Sequence, residues 1–475
     1  MQEITRDFFR GKKVTVMGLG LFEGGVGVTR FLVDQGAEVI VTDLKASADL
    51  KESIEKLKGL PVSLHLGGHR EQDFTKVDLV VVNPAVPKTS PYLRLAREHG
   101  VPLFAEMNIF FQLCPAPIVG ITGSNGKSTT TALVHAMLSK GKRTVWLGGN
   151  IGQALLPEAH KIAEEDMVVL ELSSFQLEDL QQIGRSPHVA VVTNIAPNHL
   201  DRHGTMDEYI AAKKGIVVNQ KNGDFAILNW DDPELRAWAD KGLKSRPLFF
   251  SVEEEVEEGA FVRGDELILR AGKREEVVSL RGVQIPGKHN RQNIAAAAIA
   301  ARAAGAKREQ IEAAAGEFKG LEHRLEFFEE INDVRFYNDS IATTPESAIA
   351  ALDAIDRPIV LIAGGYDKGS PFGAFAKKIA ERVKCVILIG KTAEKIGALV
   401  EEHRHSTETP SMYHETTFPE AVWCAFEEAK SGDAVLLSTG CASYDMFRNF
   451  VDRGRQFKQL VREIKRQVSD KTREA

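Results

Sequence analysis

Ile118-Val-Gly-Ile-Thr-Gly-Ser-Asn-Gly-Lys-Ser-Thr-Thr-Thr131 is the stretch that decides the fold. An apolar run ends at Ile121, Gly123 to Gly126 form a turn, and Lys127, Ser128 and the threonines open a helix through Leu133 and Met137. Strand, glycine turn and helix in that order make a phosphate cradle. Glycines let backbone N–H groups point into one concavity, and the helix start adds the positive end of its dipole. Gly123, Ser124, Asn125, Gly126 and Thr129 shape the cradle. Lys127 is expected against the β- and γ-phosphates of a nucleotide, and the Ser128 hydroxyl on Mg²⁺. The spacing departs from the common P-loop. The first glycine of G-x-x-x-x-G-K-[ST] falls on Ile121, and Gly120 and Gly123 give the tighter G-x-x-G-K-S instead.

Upstream, Lys13–Gly24 reads as a first strand running into a glycine turn, Val39–Asp43 as a second strand ending in an acid, and Val77–Asn83 as a later strand. Asp43 lies about 20 residues past the turn, where a ribose-binding acid belongs in a Rossmann-like unit. Gly18 and Gly20 fit the dinucleotide fingerprint, but its third position is Glu23. The loose fit favours a nucleotide-sugar or similar ligand over NAD.

Downstream, Val145–Gly152 is a strand and glycine turn carrying Asn150, and Asp166–Ser174 is an apolar strand with Glu171 inside it. A carboxylate there is costly unless it is ion-paired or on a metal, and both readings stay open. His188–Ile195 is another strand, ending in the polar loop Ala196–His203, where α/β ligands bind. His199 and His203 lie in that loop, and His203 is expected to be solvated. A helix over Met206–Val218 carries Lys213 and Lys214. A strand at 224–229, a solvated acidic run at 253–258, a β-meander at 260–280 and an alanine-rich helix to about Ala304 follow.

Gly320–Arg324 reads as a hinge into another doubly wound unit, with strands at 335–338, 358–363, 385–389 and 434–438. Their C-terminal loops, Asp339-Ser340, Gly364–Lys368 and Thr439–Ser443, converge on one edge. The closing helix is expected from about Tyr444 to Val468, with a frayed charged tail.

The 475 residues suit about three domains at ~150 residues each. Net charge is −6, which argues against a nucleic-acid partner. The four cysteines are scattered without metal or disulfide spacing. Apolar runs stay short of the ~18 residues of a membrane span, and the start of the chain lacks a signal-peptide pattern. A cytoplasmic monomer acting on small molecules is expected.

Six segments together resemble the Mur ligases, the ATP-dependent amino-acid-adding enzymes of bacterial cell-wall synthesis. They are Gly123–Thr129, Gly148-Gly-Asn-Ile-Gly152, Glu171-Leu-Ser-Ser-Phe-Gln-Leu-Glu178, Asn198-His-Leu-Asp-Arg202, Asn338-Asp-Ser340 and Cys441-Ala-Ser443. The resemblance spans essentially the whole chain. The Glu171–Glu178 segment is the most specific part, and points to the type that adds D-glutamate to UDP-N-acetylmuramoyl-L-alanine (UDP-MurNAc-L-Ala). It implies three α/β domains: a Rossmann-like 1–105 for the UDP-substrate, a P-loop ATPase-like 106–320 for ATP, and a Rossmann-like 321–475 for the amino acid. It also implies an acyl-phosphate intermediate and two Mg²⁺ ions.

By the same resemblance, Ser128 and Glu171 bind one Mg²⁺, and His199 with a carbamylated Lys213 binds the other. Lys127, His199 and Lys213 are the catalytic set. Asn293, Arg324 and Asp339 contact the nucleotide. Thr343, Lys368, Ser443 and Phe450 shape the D-glutamate site. Asn150 and His199 touch the UDP-substrate, with Leu21, Phe22, Asp43 and Leu44 at its uridine end.

Three positions depart from the family pattern. Ile341 stands where the family has a lysine, Ala85 stands where it has a glycine, and the turn Gly20–Gly27 is longer. A dehydrogenase or nucleotide-binding regulator, suggested by residues 14–43, leaves the cradle unexplained. A P-loop switch would hydrolyse ATP unaided.

Overall fold

Three sheets carry the chain. The computed structural model describes residues 4–474 except Arg6, Leu21, Phe22, Ala85, Gln153, Asn198, His199, Lys241, Pro286, Lys368 and residues 405–408. By contact density the chain forms two compact units. One is Met1–Gly282 with Arg291–Glu317, and the other is Val283–Asn290 with Phe318–Ala475.

The first sheet is parallel, in the order β3-β2-β1-β4-β5. Its strands are β1 (Lys13–Met17), β2 (Glu38–Asp43), β3 (Val62–Leu66), β4 (Leu79–Val82) and β5 (Leu103–Phe104). Chain direction across the sheet reverses between β1 and β4, so their C-terminal ends form the crevice that doubly wound sheets use for ligands.

The second sheet has nine strands in the order β14-β13-β12-β11-β10-β9-β6-β8-β7. They are β6 (Ile118–Thr122), β7 (Val145–Gly149), β8 (Met167–Glu171), β9 (Val189–Val192), β10 (Phe225–Asn229), β11 (Arg246–Ser251), β12 (Gly259–Arg263), β13 (Glu266–Ala271) and β14 (Arg274–Ser279). β6 lies between β9 and β8, and every residue of β6 and β8 is buried. Helices cover both faces of such parallel strands, which is why they read as unbroken apolar runs. The expected meander is the antiparallel set β12–β14. The register sets Ile121 of β6 and Gly149 of β7 on either side of Glu171, bringing the cradle, the glycine turn and the carboxylate to one edge.

The second unit holds a sheet in the order β15-β16-β20-β17-β18-β19. Its strands are β15 (Glu326–Ile331), β16 (Val334–Asn338), β17 (Ile359–Gly364), β18 (Val383–Ile389), β19 (Ser411–His414) and β20 (Ala434–Leu437). β15 runs antiparallel at the edge, carries Glu326, Glu329 and Glu330, and has a bulge between Phe327 and Glu329.

Sequence patterning passes over β3, β5, β11, β15 and β19. Most lie toward sheet edges, are short or mix acids with aromatics, so apolar periodicity is weak there. The closing helix is also displaced. It spans Phe450–Glu474 rather than starting near Tyr444, and it continues past Val468. The Asn449 side chain caps it, accepting from Asp452 N at 2.9 Å. Among the described residues, no helix is long and apolar enough to cross a membrane.

Candidate active site

The cradle turn is built around two glycines at which any other residue would be strained. Gly126 caps the helix Lys127–Ser139 at φ +80°, and a Cβ there would lie 2.3 Å from Asn293 Oδ1. Gly123 has φ +147°, and a Cβ would lie 1.9 Å from Thr193 Oγ1. Asn293, expected at the nucleotide, is thus placed against the cradle, and Thr130 Oγ1 donates to its Oδ1 at 3.3 Å.

The turn is pinned from behind by the segment after β9. Thr193 Oγ1 donates to Asn125 O (2.5 Å), Asn125 N donates to Asn194 Oδ1 (2.9 Å), and Ser124 Oγ donates to Ala196 O (2.8 Å). Ser124 Oγ also lies 2.9 Å from the Tyr209 hydroxyl. Asn125 is exposed at the tip, Ser128 is half-buried, and Thr129 is buried.

Two lysines meet at one backbone oxygen. Lys127 Nζ donates to Gly123 O (2.9 Å) and Ser124 O (2.8 Å). Lys213 Nζ reaches the same Gly123 O at 2.8 Å and Thr122 Oγ1 at 3.4 Å. Lys213 is 2% exposed. Burial, and then the charge of Lys127, push its amine well below the usual lysine range, against a pull from Glu171. Glu171 is 1% exposed. Its Oε1 accepts from Asn150 Nδ2 at 2.9 Å, and among the described residues its Oε2 has no hydrogen-bond partner. A buried carboxylate oxygen left without a donor suits a cation. Lys127, Lys213, Glu171 and Asn150 therefore share the C-terminal edge of β6, β7 and β8.

His203 is not solvated, contrary to the sequence expectation. It is 6% exposed, held at Nε2 by Ser174 Oγ (2.9 Å) and at Nδ1 by Glu178 (3.2 Å). A loop histidine usually faces water, but here the helix Ser174–Gln182 packs over it.

In the first sheet, Asp43 Oδ2 accepts from Gly20 N (3.0 Å) and Oδ1 from Lys45 N (2.9 Å), so the acid sets the turn it follows. Leu44, beside it, is 69% exposed. Leu21 and Phe22 of the uridine set, His199 of the metal set and Lys368 of the D-glutamate set lie outside the described residues.

In the second unit, Asp339 accepts from Leu325 N (3.0 Å) and Ser438 Oγ (2.7 Å). Burial pushes its carboxyl up to about 6, against the hydrogen bonds from Ser438 and the Leu325 N–H and the charge of Arg324. The Arg324 Nε atom is buried without a hydrogen-bond partner among the described residues. Ser443 is buried, Thr343 is half-buried, and the Phe450 carbonyl accepts from Ser340 Oγ at 2.7 Å.

Sequence reasoning misses the residue that ties these loops. Arg453 is fully buried, with Nε on Ser340 Oγ (2.9 Å), Nη2 on Ser340 O (2.7 Å) and Nη1 on Cys441 O (3.2 Å). Its one sequence signal is an arginine in the first turn of an otherwise amphipathic helix. Ile341 is half-buried, and its N–H donates to His323 O at 3.1 Å.

Three family models match the chain. They are the Mur ligase MurD-like N-terminal domain over residues 12–105, the Mur ligase middle domain over 121–301, and the Mur ligase, glutamate ligase domain over 323–441. The UDP-N-acetylmuramoylalanine–D-glutamate ligase of Roseiflexus sp. (strain RS-1) is 46% identical over 462 residues, covering 95% of this chain and 98% of that protein. The enzyme of that name from Pelotomaculum thermopropionicum is 42% identical, covering 97% and 99%. Among solved structures, the UDP-N-acetylmuramate-alanine ligase of Thermotoga maritima has TM-score 0.61 at 19% identity, covering 96% of this chain and 100% of that one. The MurF ligase of Thermotoga maritima in complex with ADP has TM-score 0.56 at 18% identity, covering 91% and 96%. At these identities the structural likeness is one of fold.

Proposed function

The chain belongs to the Mur ligase family, and from that premise we propose how its residues serve its reaction, the ATP-dependent addition of D-glutamate to UDP-MurNAc-L-Ala in peptidoglycan precursor synthesis. The γ-phosphoryl group of ATP passes to the L-alanyl carboxylate, releasing ADP. The amine of D-glutamate attacks the acyl carbon, and phosphate leaves as the amide forms. Such a reaction depends on positioning and charge stabilisation. The observation that carries the assignment is the convergence of Lys127, Lys213 and the unpartnered Glu171 oxygen on one sheet edge.

Lys127 holds the γ-phosphoryl group. Ser128 and Glu171 would hold one Mg²⁺, and His199 with a carbamylated Lys213 the other. When bound, Mg²⁺ spreads the charge of the transferring group. Gly123–Gly126 and Thr129 cradle the phosphates by backbone N–H groups, with Asn293, Arg324 and Asp339 at the nucleotide. Asn150 orients the UDP-substrate beside Glu171, and Leu21, Phe22, Asp43 and Leu44 serve its uridine end. Thr343, Lys368, Ser443 and Phe450 take D-glutamate. Residues 1–105, 106–320 and 321–475 divide the three ligands among them. The working form is a cytoplasmic monomer.

A substrate panel tests this. With UDP-MurNAc-L-Ala and ATP, D-glutamate is expected to be the one good substrate among D-glutamate, L-glutamate, L-lysine and meso-diaminopimelate. Faster turnover of L-lysine or diaminopimelate would overturn the specificity. ADP release without amino acid or UDP-substrate would favour a switch-like ATPase.

Ile341 offers a second check. Arg453 already supplies a buried cation at the neighbouring Ser340. Ile341→Lys is therefore expected to leave activity unchanged or raise it. A loss beyond ~10² in kcat/KM, about 2.7 kcal/mol, in a folded variant would show a site rebuilt around an apolar side chain.

A further inference from the structure

Beyond Glu171, the Glu171–Glu178 segment has no chemistry assigned to it, yet its side chains are all engaged. Ser173 and Gln176 cap the helix reciprocally: Gln176 N donates to Ser173 Oγ (3.3 Å) and Ser173 N to Gln176 Oε1 (2.9 Å). Ser174 and Glu178 grip the two ring nitrogens of His203, and Phe175 stacks on that ring at 5.0 Å and 11°. Burial lowers the affinity of His203 for a second proton. The neutral ring then donates from Nδ1 to the Glu178 carboxylate and accepts at Nε2 from the Ser174 hydroxyl. The order serine–histidine–carboxylate is that of a nucleophilic triad, but Ser174 is only 3% exposed, so the chain of bonds orients rather than attacks.

Contacts of two further side chains, Arg202 and Lys88, show what is being oriented. The Arg202 guanidinium lies 3.8 Å from the Phe175 ring centroid and donates to Pro84 O at 2.6 Å. Lys88 pairs with Glu178 and, at 3.8 Å, with Asp179. Pro84 and Lys88 follow β4, where the first sheet reverses direction, and Asn83 Nδ2 donates back to Gly18 O at 3.3 Å. On the other side, the Tyr209 ring packs edge-on to His203 (5.3 Å), and its hydroxyl meets Ser124 of the cradle. A cavity of about 600 Å³ adjoins these contacts, lined by Asn83, Pro84, Lys88, Phe175, Asp179 and Arg202. Close packing does not fill this junction, so its geometry falls to the polar contacts.

We propose that Ser174, Phe175, Glu178, Arg202 and His203 are positioning residues that hold the loop after β4, at the ligand crevice of the first sheet, in register with the phosphate cradle. They touch no reacting atom. They set where the UDP-substrate is presented, an assignment that rests on the proposed reaction. Their loss should therefore weaken use of the UDP-substrate and spare that of ATP.

The test uses the full-length enzyme with Mg²⁺, ATP, D-glutamate and UDP-MurNAc-L-Ala. Arg202 is exposed, so Arg202→Met should leave the fold standing. Its KM for UDP-MurNAc-L-Ala is expected to rise about tenfold, with KM for ATP and kcat within about twofold. Arg202→Lys, which keeps the charge, should recover part of the loss. His203→Gln should reproduce the split, and if it fails to fold, Arg202→Met decides. Unchanged kinetics, or equal rises in both KM values, would reduce the cluster to packing and end the proposal. A wild-type enzyme without D-glutamate-dependent ADP release would instead strike at the reaction itself.

Discussion

Lys127→Ala is expected to lower turnover by at least ~10³-fold, through loss of charge stabilisation on the transferring phosphoryl group. The fold should stand. Lys127 is half-buried at the first position of its helix, and its ammonium bonds two turn carbonyls, not the core. Losing those bonds costs about 1 kcal/mol of local stability, small beside the kinetic effect. Substrate-dependent ADP release and a thermal melt separate the two. Near-normal turnover would remove the cradle from the chemistry. The variant also has a secondary effect of definite sign. Lys127 helps to depress the Lys213 amine, so removing it raises that pKa and lowers the fraction of neutral amine.

Lys213→Ala is expected to lower turnover by roughly 10²- to 10³-fold, and a short-chain carboxylate such as acetate should restore part of it. An ammonium at this position would repel Mg²⁺ and could not ligate it. The neutral amine can attack the carbon of CO₂. An N–C bond forms, a proton leaves to solvent, and the product is a carbamate whose oxygens suit Mg²⁺. Burial and the neighbouring Lys127 charge favour the neutral form of Lys213, against a pull from Glu171. Lys214, about 100° around the helix, sits 5.8 Å from the Trp238 ring. Full activity of Lys213→Ala without acid would end the idea. So would carbon NMR or mass measurement of active enzyme showing no CO₂ adduct at this lysine.

The parts of the site visible in sequence were those carried by local grammar. Gly123–Ser128 announces itself because strand, turn and helix are contiguous. Glu171 stands out because a carboxylate inside an apolar strand needs a reason. Asn293 and Lys213 came from resemblance, and the structure sets both against the cradle. What stayed hidden depends on partners far away in the chain. Arg453 meets Ser340 across 113 residues, and Tyr209 meets Ser124 across 85. His203 looked idle because its burial comes from a helix nearly 30 residues earlier. Strands such as β15 and β19 were invisible because their pairing partners, more than their own composition, make them strands.

β15 leaves a row of backbone groups at the edge of its sheet, and such edges recruit strands from other molecules. Its acids answer that hazard. Glu329 and Glu330 are paired to Lys465 and Arg335, and the bulge between Phe327 and Glu329 spoils the straight register an incoming strand would need. Phe327, 49% exposed, is the sticky residue they guard. The acidic character that hides β15 from pattern reading, together with its bulge, thus makes that edge a poor template for an incoming strand.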